Sequence, residues 1–319
     1  MKDPIVGLHH VTAIASDPQR NLDFYTQVLG LRFVKRTVNF DDPGTYHFYF
    51  GDDAGSPGTI LTFFPWRQAR RGHAGAGETT QTAFSVPLES LPFWRQHLKE
   101  NNVPFRETGK RFEEEVLTLL DPDGMAIEIV GHADAAPARA PRYASIPAEH
   151  SIRGFFGVTL LEQNGDATFA ILQVMGFQEV ALDGRRHRFS SNGNALGNHI
   201  DVIVDPKAPW GRQGAGSVHH IAFRVKDDAS QLEWQKELSK YVGVTPVRDR
   251  TYFHSVYFRE PGGVLFELAT DPPGFGLDEP AESLGEALRL PEWLEPHRAQ
   301  LEQVLPTLVL HKAAQKVEA

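Results

Sequence analysis

The segment Gly7-Leu8-His9-His10-Val11-Thr12-Ala13-Ile14 is echoed late in the chain by Ser217-Val218-His219-His220-Ile221-Ala222-Phe223-Arg224-Val225. Each copy sets a histidine pair in an apolar, β-branched run of strand length. The residues after the first copy are equally regular. Asp17 can cap a helix whose first position suits Pro18. Leu22, Tyr25 and Leu29 then fall on one helical face, and Gly30 supplies a left-handed stop. Strand-like runs come next at 32–38, 46–50 and 59–64. The order reads β-α-β-β-β.

That order recurs three times. Near 79–131, a strand at 82–86 precedes a helix bearing Leu91, Trp94 and Leu98. This unit ends in Asp121-Pro122-Asp123-Gly124 and Ala126-Ile127-Glu128-Ile129-Val130. Near 152–205, Phe156-Gly157-Val158-Thr159 opens a unit whose helix ends Gln173-Val174-Met175-Gly176-Phe177, matching Gln27-Val28-Leu29-Gly30-Leu31. Near 216–270, His219-His220 opens the fourth unit. Its Glu260-Pro261-Gly262-Gly263-Val264-Leu265-Phe266-Glu267 mirrors the stretch from Asp121 to Glu128. Units one and three resemble each other, as do two and four, so the chain reads as a duplicated pair. The expected class is α+β, with cupped, barrel-like mixed sheets and helices outside. The expected divisions are an N-terminal half at 1–132, an Ala- and Pro-rich linker at 133–150, a C-terminal half at 151–271 and a tail at 272–319. The tail should carry one helix around Pro291 to Val304, packed on the body.

Composition narrows the function. The net charge of −9 argues against nucleic acid or an anionic membrane as partner. There is no cysteine, which excludes disulfides and thiolate ligands. Met1-Lys2-Asp3-Pro4 leads straight into a strand with no apolar signal segment, and no run is long enough to span a bilayer. A cytoplasmic enzyme is the default expectation. No Walker loop or dinucleotide fingerprint is present; Gly211 to Gly216 is merely Gly-rich and precedes a strand. Arg67 to Arg71 reads as a solvated loop.

Strand parity selects ligand candidates, because alternate residues face opposite sides. In unit four Ile221, Phe223 and Val225 form an apolar row against the helix, and His219 shares it. His220, Ala222 and Arg224 face the cup. Likewise Val264, Phe266 and Leu268 pack inward, while Leu265, Glu267 and Ala269 face the cup. In unit one both rows are mixed. Superposing the repeats places His10 on His220 and His9 on His219. A lone strand histidine is ordinarily a packed residue. Two pairs at matching positions, with a glutamate on the correct face, argue instead for a metal held by His10, His220 and Glu267. Two histidines and a carboxylate on one face are the ligand set of non-haem Fe(II) oxygenases. His9 and His219 stay open between support behind the ligands and plain packing. Gln81 and Gly157 fall at the ligand positions of units two and three, Glu128 matches Glu267, and Asp201 lies near the corresponding place in unit three. That second cup, without two histidines, reads as vestigial.

The four units resemble the vicinal oxygen chelate superfamily, which includes glyoxalases and extradiol ring-cleaving dioxygenases. Leu8 to Thr12, Arg32-Phe33-Val34-Lys35-Arg36-Thr37, His219 to Phe223 and Tyr257 to Glu267 are similar to the hydroquinone (para-diol) ring-cleaving dioxygenases. The resemblance implies the same three ligands. It implies Fe(II) as the metal, with Mn(II) the other metal that the sequence leaves open. It also implies O2 and a small aromatic diol as substrates. Tyr257 enters the Pro-Gly-Gly hairpin and can lie beside Glu267; the resemblance implies that it contacts substrate or oxygen. It implies polar roles for Arg250 and His219 as well. The bland alternatives are a buried aromatic for Tyr257 and a surface ion pair for Arg250. His254 has no assigned role. A glyoxalase-type lyase or isomerase, acting through an enediolate, is the competing enzyme; it would need Gln81 or Glu128 in the same cup. An antibiotic-sequestering binding protein is the non-enzymatic alternative, but such members normally lack the metal triad. Superfamily members often pair subunits, yet four units can build complete cups in one chain, so a homo-oligomer is left open.

Overall fold

In the computed structural model, residues 2–137, 146–191 and 196–310 are described. All four repeats take the expected order. Unit one comprises β1 (Leu8–Ala15), α1 (Pro18–Asp23), β2 (Arg32–Asn39), β3 (Asp42–Gly51) and β4 (Ile60–Pro65). Unit two comprises β5 (Glu78–Pro87), α2 (Leu91–Glu100), β6 (Phe105–Arg111), β7 (Glu114–Leu120) and β8 (Ala126–His132). Unit three comprises β9 (Phe155–Glu162), α3 (Asp166–Val174), β10 (Gln178–Asp183), β11 (Arg186–Ser190) and β12 (His199–Val204). Unit four comprises β13 (Ser217–Val225), α4 (Asp228–Leu238), β14 (Arg248–Asp249), β15 (Phe253–Arg259) and β16 (Leu265–Pro273).

Local chemistry explains the element ends. The Asp17 carboxylate accepts from the Arg20 amide at 2.8 Å and Pro18 occupies the first helical turn, so α1 starts where the sequence places it. A π-helical turn over Phe24–Val28 extends α1 and keeps Tyr25 and Leu29 buried. Gly30 then adopts φ +68°, where a side chain would meet Ile146. The buried faces of the helices and sheets merge into one apolar core that includes Tyr25, Phe63, Trp94, Phe155 and Phe223. Each such side chain contributes roughly 1.5–3 kcal/mol by burial.

Sheet pairing crosses the two halves of the chain. One eight-stranded sheet runs β14-β15-β16-β13-β1-β4-β3-β2 and joins units four and one. The other runs β10-β11-β12-β9-β5-β8-β7-β6 and joins units three and two. Each is a curled, mixed sheet. The joints are the antiparallel pairs β1–β13 and β5–β9. This topology delivers the two histidine-bearing strands to one cup.

The β1–β13 joint contains two bulges. Leu8 pairs with Phe223 and His10 with Ala222, so His9 is the extra residue on β1. Thr12 pairs with His220 and Ala13 with Val218, so His219 is the extra residue on β13. A bulge interrupts strict alternation and re-aims side chains. Strict parity puts His219 in the helix-facing row; the bulge instead leaves it on the cavity wall beside His220.

The tail closes the free edge of this sheet. Arg36 on β2 bridges in parallel with Leu288. The fully buried Lys35 ammonium meets Asp278 at 2.6 Å and Glu279 at 2.5 Å. The tail helix is shorter than expected. A 3-10 turn at Glu295–His297, with Pro296 at the first-turn position that suits proline, leads into α5 (Arg298–Val304). Leu301 packs against the core, whereas Trp293 is 55 % exposed and touches only the edge of Phe40 among the ring contacts described. The expected linker at 133–150 includes 138–145, which lie outside the described residues, as does the end of the tail at 311–319. No helix among the described residues is long and apolar enough to cross a membrane.

Candidate metal centre

Cross-strand register explains how the candidate ligands meet. His10 on β1 lies opposite Ala222 on β13, Ala222 opposite Glu267 on β16, and Glu267 opposite Tyr257 on β15. The next row sets His220 opposite Thr12, Thr12 opposite Thr62 on β4, and Thr62 opposite Tyr49 on β3. Because Ala222 carries only a methyl group, the flanking His10 and Glu267 side chains can converge over it. Glu267 Oε2 lies 2.9 Å from His220 Nε2 and 3.3 Å from His10 Nε2. The two Nε2 atoms are 3.4 Å apart.

This donor set fits a divalent metal. All three residues are buried, and one ligand atom from each lies within 4.8 Å of the others. Glu267 Oε1 accepts from Ser255 Oγ at 2.5 Å, while Oε2 has no hydrogen-bond donor although it is buried. One oxygen is thus tethered and the other aims between two imidazoles. Burial alone would raise the Glu267 carboxyl; the adjacent His10 and His220 outweigh it and hold the group well below the usual carboxylate range. Burial pushes His220 below its ordinary value despite the opposing carboxylate. Neutral imidazole and ionised carboxylate are the forms that bind metal.

Each candidate ligand has its neighbouring histidine behind it. His9 Nδ1 is 3.0 Å from His10 Nδ1, and His219 Nδ1 is 2.7 Å from His220 Nδ1. A histidine that ligates through Nε2 carries its proton on Nδ1 and donates it outward. His9 and His219 would accept there and present Nε2–H elsewhere. His9 is sealed in and hydrogen-bonds the Thr270 backbone. Burial, then His10, hold it well below its ordinary value. His219 lines the cavity with the Phe64 ring against it; burial, then His220, lower it to about 3.

His10 and His220 lie on the wall of a cavity of about 430 Å³ whose lining also includes His47, Tyr49, Arg250 and Tyr257, with Glu267 buried behind them. A larger cleft of about 690 Å³, lined by Tyr46, Trp66, Gln213 and Pro306 among others, holds none of the triad. The Arg250 Nε donates to the Tyr257 hydroxyl at 3.1 Å, and its Nη1 meets Asp41 at 3.2 Å. Arg250 is therefore both a cavity group and an ion-pair partner. Burial, then Glu267, raise the Tyr257 phenol, so it stays protonated near neutral pH. Phe253 packs edge-on to His9 and tilted against His10, with ring centroids 5.1 and 4.9 Å away, and keeps that side apolar. His254 lies apart, its Nδ1 2.6 Å from Asp228.

The second sheet repeats this register without the ligands. Ala83 lies opposite both Gly157 and Glu128, as Ala222 does with His10 and Glu267. Gln81 lies opposite Thr159, as His220 does with Thr12. Its acids are answered by arginines. Arg111 grips Glu128 with contacts of 2.5 and 2.6 Å, and Arg188 reaches Asp201 at 2.7 Å and Glu114 at 2.8 Å. Sequence reasoning misses His47, Tyr49 and Ser255. His47 and Tyr49 alternate with the core residues Phe48 and Phe50, a pattern that marks a polar strand face.

Comparison with known proteins agrees with the fold. The profile of the Glyoxalase/Bleomycin resistance protein/Dioxygenase superfamily matches residues 7–129 and 153–268. The chain is 48 % identical over 307 residues to the "Putative ring-cleaving dioxygenase MhqO" of Bacillus subtilis, covering 96 % of this chain and 97 % of that one. It is 32 % identical to the "Chlorohydroquinone/hydroquinone 1,2-dioxygenase" of Sphingobium indicum, covering 94 % and 96 %. A crystal structure of a "putative dioxygenase" from Bacillus subtilis superposes with a TM-score of 0.93 at 47 % identity, covering 97 % of this chain and 99 % of that one. The chain therefore belongs to the glyoxalase, bleomycin resistance protein and dioxygenase superfamily, alongside its hydroquinone-type ring-cleaving dioxygenases.

Proposed function

We propose that this protein is a metal-dependent, extradiol-type dioxygenase that opens a hydroquinone-like ring with O2, next to a hydroxylated carbon. The carrying observation is the convergence of His10, His220 and Glu267, the two histidines lining a cavity that also presents Tyr257, Arg250 and His219. The names of the relatives support the same chemistry. His10, His220 and Glu267 would hold the metal, for which we propose Fe(II), with Mn(II) as the alternative. When bound, Fe(II) supplies the one-electron chemistry that lets an aromatic diol react with O2.

The remaining work belongs to the protein's own groups. Ser255 fixes the carboxylate rotamer by donating to Glu267 Oε1. His9 relays the orientation of His10 to the Thr270 backbone. His219 Nε2–H offers a donor to the cavity, set by the acceptor role of its Nδ1 toward His220. The Tyr257 hydroxyl accepts from Arg250, which leaves its own proton to donate, either to Ser255 or to an oxygen in the cavity. Arg250 adds positive charge where the substrate hydroxyl must lose its proton. Phe253 and the small Ala222 limit water around the triad.

A glyoxalase-type reading needs an added ligand from unit two. Gln81 and Glu128 lie in the other sheet, and Glu128 is committed to Arg111. The test is oxygen uptake by protein loaded anaerobically with Fe(II), against hydroquinones and catechols, with His220→Ala as control. Uptake with hydroquinones that disappears in the control supports the reading. Tight metal binding without uptake on any diol favours the lyase alternative.

A further inference from the structure

Beside the candidate ligands, the same sheet gives the cavity a second polar wall. The Tyr49 hydroxyl lies 2.9 Å from His47 Nδ1, and His47 Nε2 lies 2.8 Å from Thr62 Oγ1. Thr62 Oγ1 in turn donates to Thr12 Oγ1 at 2.9 Å. All four side chains sit on the cup face: Thr12, Thr62 and Tyr49 share one cross-strand row, and His47 is two residues from Tyr49 on β3. Thr12, His47 and Tyr49 line the cavity. The pattern is costly to leave unsatisfied, because Thr12, Thr62 and Tyr49 are at most 1 % exposed.

The chain of hydrogen bonds has a direction. Thr62 spends its proton on Thr12, so it accepts from His47 and the His47 proton sits on Nε2. Nδ1 is then an acceptor, and Tyr49 spends its O–H on it. Burial, followed by His10 and His220, holds His47 well below its ordinary value, which keeps the single-proton form. The Tyr49 oxygen therefore faces the cavity with lone pairs and no proton to give.

We propose that Tyr49, oriented by His47, is the specificity-determining acceptor for the hydroxyl at the far end of a para-diol ring. This rests on the dioxygenase reading above. A ring whose first hydroxyl meets the triad would point its para substituent across the cavity, toward the β3 wall two strands beyond β1. A hydroxyl there donates to Tyr49 Oη. A ring with both hydroxyls adjacent keeps both near the triad and leaves Tyr49 without a donor.

The test is calorimetric binding under anaerobic conditions to Mn(II)-loaded protein, with hydroquinone and phenol as probes. Phenol keeps the first hydroxyl and lacks the second. The wild-type protein should prefer hydroquinone by about tenfold, the worth of one buried hydrogen bond. Tyr49→Phe should bring the two affinities together while metal content stays unchanged. His47→Gln, which retains an acceptor and a donor, should keep most of the preference; His47→Phe should lose it. Thr62→Val is nearly isosteric, tests the far end of the chain and should weaken the preference even if Tyr49→Phe folds poorly. Equal wild-type affinities, or an undiminished preference in Tyr49→Phe or Thr62→Val, would overturn the proposal and leave the dioxygenase reading standing. Wild-type protein that holds Mn(II) yet binds neither probe would overturn both.

Discussion

Replacing Ser255 with alanine isolates the support given to the carboxylate ligand. Ser255 and Glu267 are both fully buried, and the Ser255 Oγ donates to Glu267 Oε1 at 2.5 Å. The substitution deletes one oxygen and leaves Oε1 without its donor, while Oε2 still points at His10 and His220. A hydrogen bond to a charged group is worth roughly 1.5–3 kcal/mol. Loss of an outer partner to a metal ligand typically costs about 10–100-fold in affinity, or ~1.4–2.7 kcal/mol. The two routes give the same range. Metal affinity would be measured by competition with a chromophoric chelator, and circular dichroism would check the fold. The expected result is a loss of about 10–100-fold with the fold intact. Unchanged affinity in a folded variant would refute this reasoning, since something other than Ser255 would then fix the carboxylate.

Other parts of the chain give independent tests. Tyr257→Phe should lower turnover about 100-fold while leaving metal content intact, and full activity would remove Tyr257 from the mechanism. Lys35→Met removes the buried cation of the tail clamp, leaving Asp278 with Tyr252 and Glu279 with Arg289, and should cost ~3 kcal/mol in urea unfolding; no loss would mean that the clamp carries no net stability. Glu162 is 1 % exposed, and burial, then Glu260, raise its carboxyl to about 8. Its folded value lies above its unfolded one, so the associated stability is present below the ordinary carboxylate value of 4.5 and is lost as pH rises toward about 8. Glu162→Gln should therefore stabilise by ~1–3 kcal/mol at about pH 9 and hardly at all at about pH 5; equal effects at both would contradict this.

The repeat order was legible because each unit carries its own punctuation: Asp17-Pro18 and Gly30, then Asp121-Pro122, Gly176 and Pro261-Gly262. His10, His220 and Glu267 were legible as a set because matching positions in a duplicated chain constrain one another. Parity failed at His219 for a physical reason. The bulge that inserts His219 depends on the β1–β13 register, and register belongs to the pairing of distant strands. The Tyr49–His47–Thr62–Thr12 wall was hidden for the same cause. Three of its members form a row only after β1, β4 and β3 are laid side by side. Ser255 gave no sign at all, since its hydroxyl matters only through its distance to Glu267. The tail helix was overextended because apolar spacing does not mark its start, which Pro296 sets by occupying the first helical turn.

The most direct test of the central claim is isotope incorporation during turnover of hydroquinone by the Fe(II)-loaded protein under labelled dioxygen. The expected result is a ring-opened product in which both atoms of one O2 molecule appear, and no such product from His220→Ala. A product whose new oxygen comes from water, or one unchanged when O2 is withheld, would contradict the dioxygenase reading.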